Sequence, residues 1–247
     1  MGQLVNGVWT KGSVSNNQKD GSFKRVDSVF RNVISVNDQV YKPETNRYHL
    51  YVSYACPWAH RTLIFRHLKK LENHISVDYV HPDMLENGWS FLKTFPKTTG
   101  DSLHNKKYIH EIYQISDKKV SSKATVPILW DKKTDTIVNN ESAEIIRIMN
   151  SAFNDITKNY DDYYPSNLRI EIDKINKVIY ENINNGVYKS GFSRTQEAYE
   201  DAVTKLFSSL EMIDEILEDK EYLVGNVLTE ADIRLIPTLL RFDCVYY

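Results

Sequence analysis

"NRYHLYVSYACPWAHRTLIFRHLKKLE", residues 46–72, runs an aromatic and aliphatic stretch into a helix-like pattern through Cys56 and Pro57. "YHLYVS" reads as a short strand, and Trp58, Leu63, Ile64, Leu68 and Leu71 recur near helical spacing over 58–71. "ISVDYV" (75–80) reads as a second strand, so the unit is strand–helix–strand, which closes as a right-handed parallel crossover. A thiol at the first turn of such a helix faces backbone N–H groups without helical partners and the positive end of the helix dipole. Both favour the thiolate, lowering the pKa from about 8.5 into the range of about 3.5 to 7.5. Pro57 suits the position, since it lacks an N–H the first turn could not use and its φ is already helical. His60 and Arg61 add positive charge within about a turn. A cysteine elsewhere could be a small core hydrophobe; in this context Cys56 reads as an activated nucleophile.

Ala59 stands where a dithiol oxidoreductase carries its resolving cysteine. A mixed disulfide at Cys56 could not close locally and would have to be resolved by an outside thiol. The abundant candidate is glutathione, as co-substrate. Downstream, "TVPILWD" and "DTIVNN" read as two strands joined by "KKT", and "ESAEIIRIMNSAF" as a closing helix. A long insertion, "HPDMLENGWSFLKTFPKTTGDSLHN", precedes a short helix at about 106–115, and the insertion gives Trp89 a lid-like place. The order β-α-β-α-β-β-α, with a proline opening the third strand, is the thioredoxin-like arrangement, here over 46–153. A cis Val126–Pro127 bond is expected, turning the valine backbone outward to pair with a peptide. "NNESAEII" supplies a helix N-terminus as an anion site, with Ser142 as hydroxyl donor and Glu141 as partner for an ammonium.

Residues 1–45 are polar and read as an extension draped over the fold, poorly ordered in part. A linker rich in Asp, Tyr and Asn spans 154–167, and residues 168–247 read as all helical. Helices are expected over 168–185, over 195–218, and from "LTEADIRLIPTLLRF", where Thr229 and Asp232 form a capping-box start. "NGVYKSGF" reads as a connector between them. The last helix stops inside an apolar pattern, so the helical domain is expected to be cut short.

The 247 residues carry a net charge of -2 with 41% hydrophobic and 26% charged residues, which argues against a nucleic-acid or anionic-membrane partner. No apolar stretch approaches the roughly 18 residues of a membrane span, and the start lacks a signal-peptide core. Met-Gly opens the chain, but Asn6 argues against myristoylation. Two cysteines far apart make no disulfide framework and point to a reducing cytoplasm; no metal is expected. Cys244 is expected to pack on its helix.

These motifs resemble the glutathionyl-hydroquinone reductases, the Xi class of glutathione transferases. The resemblance is carried by "YACPWAHRTLIFRHLKKLE", "NGWSF", "KATVPILWDKKTDTIVNNESAEIIRIMN", "NGVYKSGF" and "LTEADIRLIPTLLRFDCVY", and it covers the chain from about residue 45 onward. It implies a thioredoxin-like domain followed by a helical glutathione-transferase domain. It also implies reductive deglutathionylation of glutathionyl-hydroquinones: Cys56 attacks the glutathione sulfur, the hydroquinone leaves, and a second glutathione releases oxidised glutathione. By position, Tyr188 is the implied proton donor and Tyr246 a tyrosine favouring the thiolate. Trp89, Lys123, Ala124, Thr125, Val126, Glu141 and Ser142 are the implied glutathione contacts, with Lys123 where the family has arginine. A homodimer is implied for the full-length chain. Two other readings stay open, namely an omega-like thioltransferase or dehydroascorbate reductase, and a non-catalytic glutathione-transferase-like interaction module.

Overall fold

In the computed structural model, which describes residues 2–12 and 18–247, the run "YHLYV" is an inner strand of a four-stranded sheet. This strand, β3 (Tyr48–Val52), is buried at all five positions, which explains its unbroken apolar and aromatic character. β1 (Gly2–Val5) and β2 (Val8–Lys11) form a separate hairpin. β3 pairs in parallel with β4 (Ile75–Tyr79) and antiparallel with β5 (Ile128–Asp131), which in turn pairs antiparallel with β6 (Thr136–Asn139). The sheet order is therefore β4-β3-β5-β6. α1 (Pro57–Leu68) crosses between the parallel strands and packs on α3 (Ser142–Ser151), while α2 (Ile109–Ser116) lies against β6. Arg47 ties the start of β3 to the end of β5 by donating from Nε to Asp131 Oδ1 at 2.8 Å and from a terminal nitrogen to Oδ2 at 2.6 Å. A buried, bidentate pair of this kind fixes strand register as well as neutralising the carboxylate.

Parts of the N-terminal stretch lie against the fold, in keeping with a draped extension; residues 13–17 lie outside the described residues. Leu4 is buried and its backbone exchanges hydrogen bonds with Ser122 at 2.9 and 3.1 Å. Trp9 stacks on His110 with ring centroids 4.4 Å apart. Further on, residues 30–32 run beside the edge strand: Asn32 N donates to Val138 O and Asn140 N to Phe30 O, both at 3.0 Å. Apolar anchors this sparse in a polar stretch leave no period to read.

The described residues group into two compact units, one taking the N-terminal hairpin and Ser28–Asp161, the other the stretch ending at Asp27 together with Asp162–Tyr247. The short α4 (Asn154–Thr157) closes the first. In the second, α5 (Arg169–Val178) runs into a wide π-helical turn, Ile179–Asn184, and is followed by α6 (Gly186–Phe192), α7 (Gln196–Leu217), α8 (Glu230–Leu239) and a terminal π turn, Phe242–Tyr246. Ile172, Ile179, Ile183, Val187, Leu206, Ile213 and Leu235 form its core. The capping box of α8 is present as expected: Thr229 N donates to Asp232 Oδ2 at 2.8 Å and Thr229 Oγ1 accepts from Ala231 N at 3.3 Å.

Two expectations are corrected. "NGVYKSGF" is helix α6 and not a connector, because Val187 is buried in the core where α6 packs on α7. The burial of Val187 in that core outweighs the poor helix propensity of the two glycines. Cys244 is exposed on the terminal turn and does not pack.

Candidate active site

Cys56 is the N-cap of α1, with extended backbone at φ -85° and ψ 116° and Pro57 as the first helical residue. Its N–H donates to Ser53 O at 3.1 Å and its carbonyl accepts from His60 N at 3.0 Å, so the backbone on both sides of the thiol is fixed. The residue is buried, and Sγ donates to Val126 O at 3.4 Å. The Val126–Pro127 bond is cis, as expected. Ala124 is buried, whereas Lys123 and Thr125 are half-buried. Arg61 is fully buried on α1 with its guanidinium 4.8 Å from the centre of the Trp58 ring.

A polar relay joins the segment before β5 to the start of α3. Tyr113 OH donates to Thr125 O at 3.1 Å and accepts from Thr125 N at 3.2 Å and from Asn140 Nδ2 at 2.9 Å. Burial pushes the Tyr113 phenol up, so it stays protonated and able to donate. Asn140 leads directly into Glu141, the N-cap of α3, whose Oε1 accepts from Ala143 N at 3.1 Å. The helix start is thus capped, yet Ser142 Oγ is buried without a hydrogen-bond partner among the described residues. A buried hydroxyl costs free energy unless something satisfies it. A carboxylate of glutathione at this helix start would do so, and the donor set therefore fits that ligand.

Sequence reading missed two neighbours here. Ser28 Oγ donates to Glu141 Oε2 at 3.1 Å. Arg31 forms a two-point pair with Glu144, donating from Nε to Oε2 at 2.7 Å, and holds that carboxyl below its usual range. Both come from the stretch read as an extension, and no local pattern marks them.

Trp89 is half-buried, and its carbonyl accepts from Ile109 N at 2.9 Å. The insertion around it is anchored through two carboxylates. Asp78 accepts from Thr99 Oγ1 at 2.8 Å and from Ser102 N and Oγ at 2.7 Å each, with His49 Nε2 at 3.3 Å. Asp101 accepts from Tyr51 OH at 3.0 Å and from the N–H groups of Leu103, His104 and Lys106 at 3.1, 3.2 and 2.9 Å. Burial alone would raise the Asp78 carboxyl, but the nearby His49 ring and the Ser102 donors outweigh it and hold it at about 2. These bonds hold the end of the insertion, residues 99–106, against β3 and β4.

In the second unit the two tyrosines singled out from sequence are neighbours, with ring centroids of Tyr188 and Tyr246 6.1 Å apart. Each follows or lies on a π turn, a wide helical turn that recurs at functional sites. Asn184, the last residue of the first π turn, is buried and donates from Nδ2 to Arg234 O at 3.1 Å and Thr238 Oγ1 at 2.8 Å. Arg25 was not anticipated: its guanidinium lies 4.6 Å from the centre of the Tyr188 ring.

A lone thiol capping a helix after a parallel strand, a cis-proline segment beside it and an all-helical second unit define a glutathione transferase. Residues 55–152 match the glutathione S-transferase N-terminal domain, and residues 196–247 the C-terminal domain. The chain is 51% identical over 253 residues to glutathionyl-hydroquinone reductase YqjG of Escherichia coli K12, covering all of this chain and 77% of that protein. It is 49% identical to glutathionyl-hydroquinone reductase PcpF of Sphingobium chlorophenolicum, covering all of this chain and 78% of the relative. The glutathione-bound structure of the Escherichia coli protein superposes with a TM-score of 0.89 at 49% identity, over 99% of this chain and 76% of that one. The chain belongs to the glutathionyl-hydroquinone reductases, within the glutathione transferase superfamily.

Proposed function

We infer that the chain reduces glutathionyl-hydroquinones through a mixed disulfide at Cys56. The observation that carries this reading is the solitary thiol at the start of α1, beside the Val126 carbonyl, with no second cysteine in its unit. The Cys56 thiolate attacks the sulfur of the conjugate, and a Cys56–glutathione disulfide forms as the carbon–sulfur bond breaks. The electron pair of that bond stays on the ring carbon, which takes a proton from Tyr188. A second glutathione thiolate attacks the mixed disulfide, oxidised glutathione leaves, and the proton of that second thiol restores Tyr188. Glutathione conjugate and glutathione thus give hydroquinone and oxidised glutathione, with atoms and electrons balanced.

On this reading Ser142 and the α3 N-terminus hold one glutathione carboxylate, Glu141 faces the ammonium, and Lys123–Val126 lie along the peptide. Lysine at 123 supplies charge to the second carboxylate without the two-point fork an arginine would offer. Trp89 walls the peptide, and Tyr246 supports the thiolate. The cytoplasmic setting and homodimer belong to the same reading.

Mass spectrometry of the protein after exposure to glutathionyl-menadione, with Cys56→Ser as control, tests the reaction. A glutathione adduct on Cys56 together with free hydroquinone is expected. Turnover of hydroxyethyl disulfide much faster than of glutathionyl-menadione would replace this reading with the omega-like thioltransferase.

A further inference from the structure

Arg25 belongs to the polar N-terminal stretch, yet it is held firmly in the helical unit. Its Nε donates to Asn185 Oδ1 at 2.6 Å, and Asn185 is buried between the π turn and α6. The chain leading to it is anchored on the start of α7. Thr195 Oγ1 donates to Asp20 O at 2.8 Å and Arg194 N to Gly21 O at 3.0 Å. Phe23 packs on Phe192, ring centroids 5.4 Å apart, and Phe192 lies 6.1 Å from Tyr188. These contacts set the guanidinium over the face of Tyr188, 4.6 Å from its centre. Tyr246 also lies against that ring, with centroids 6.1 Å apart, and Lys189, next along α6, is engaged with Glu181 at 3.0 Å.

A cation over a neutral phenol ring is attracted to its π face, and it is attracted more strongly once the phenol has lost its proton. An opposite charge within about 4 to 6 Å favours the ionised form by about one to three pKa units. We propose that Arg25 is a positioning residue for proton delivery: it orients the Tyr188 ring and stabilises the phenolate that forms as the O–H bond breaks and the proton passes to the substrate carbon. The inference rests on the reading of Tyr188 as proton donor. It also gives the N-terminal stretch a chemical task, since the anchored turn at Gly21 leads into the segment that carries Arg25 to the ring. The proton returns to the phenolate from the second glutathione thiol, so Arg25 neither gains nor loses one.

The test is direct titration of the full chain labelled with [ζ-13C]tyrosine, the Tyr188 resonance being assigned by its loss in Tyr188→Phe. In Arg25→Gln the Tyr188 midpoint rises by about one to two units, and in Arg25→Lys by less, because charge is kept but the planar stacking is lost. Equal midpoints in the wild type and both variants overturn the proposal. With glutathionyl-menadione, Arg25→Gln lowers kcat about tenfold and leaves the KM for glutathione unchanged, while the alkaline limb of the kcat profile moves to higher pH. A raised KM with unchanged kcat and limb also overturns it. Full turnover in Tyr188→Phe would instead sink the proton-donor reading, and the two failures are told apart because only the second spares the titration shift.

Discussion

The Sγ of Cys56 donates to the carbonyl oxygen of Val126 across 3.4 Å, which joins the start of the helix after the thiol to the cis-proline segment ahead of β5. The carbonyl is the partner of a neutral thiol, whereas the α1 N-terminus is the partner of a thiolate. A peptide N–H that took over the Val126 carbonyl would release the thiol to the helix end. Cys56→Ser keeps the shape but supplies an alcohol with far too high a pKa to ionise there. Turnover of glutathionyl-menadione is expected to fall at least a thousandfold, with glutathione affinity within about twofold. Residual turnover above one per cent would remove Cys56 from the chemistry.

Ser142 offers a test in which stability and binding move in opposite directions. Its buried Oγ has no partner among the described residues, so Ser142→Ala removes an unsatisfied polar group and leaves thermal stability unchanged or raised by up to about 1 kcal/mol. The same change should weaken glutathione about tenfold by calorimetry, about 1.4 kcal/mol. A loss of stability with unchanged affinity would make the hydroxyl a structural group.

Legibility of the molecule from its sequence follows the range of the interactions. The Cys56–Pro57 junction, the strand–helix–strand run around it and the Thr229–Asp232 capping box were readable because each is decided by short local patterns. Helix α6 was not, since its Gly- and Asn-rich run is favoured by the burial of Val187 against distant residues of α7. Arg25, Ser28 and Arg31 were equally out of reach. Their partners Asn185, Glu141 and Glu144 lie 160, 113 and 113 positions away, and no local period encodes a contact of that span.

Asp78 makes the insertion around Trp89 sensitive to acid. Its folded pKa of about 2 lies below the ordinary 3.8, so the unfolded chain binds the proton more readily. The stabilisation is complete above about pH 4 and is lost as pH falls from there through 2, amounting to about 2 kcal/mol at 1.36 kcal/mol per unit. Unfolding free energies from urea titrations between pH 6 and 2 should drop by that amount more in the wild type than in Asp78→Asn. At pH 7 Asp78→Asn should itself be less stable by about 2 kcal/mol, because the Thr99 and Ser102 donors lose a charged acceptor. Parallel pH curves for the two proteins would mean that the carboxylate is not what holds the insertion.

Gly21 is the hinge on which the N-terminal anchor turns. Its φ is +84°, and a Cβ there would lie 2.7 Å from Thr195 Cγ2 and 2.8 Å from Thr195 Oγ1. Gly21→Ala therefore combines a left-handed backbone, costing about 1–2 kcal/mol for any L side chain, with a clash against the residue that caps α7. The cheapest relief is for the stretch ahead of Arg25 to leave the surface, since α7 is held by the core residues Ala202, Leu206 and Ile213. Limited proteolysis between residues 18 and 27 should then speed up about tenfold while the global melting temperature moves by only a few degrees. Because the stretch carries Arg25 with it, the Tyr188 midpoint should shift in the same direction as in Arg25→Gln. Unchanged proteolysis would show that the turn is not anchored through Gly21, and faster proteolysis with an unmoved Tyr188 would separate the anchor from the ring it serves.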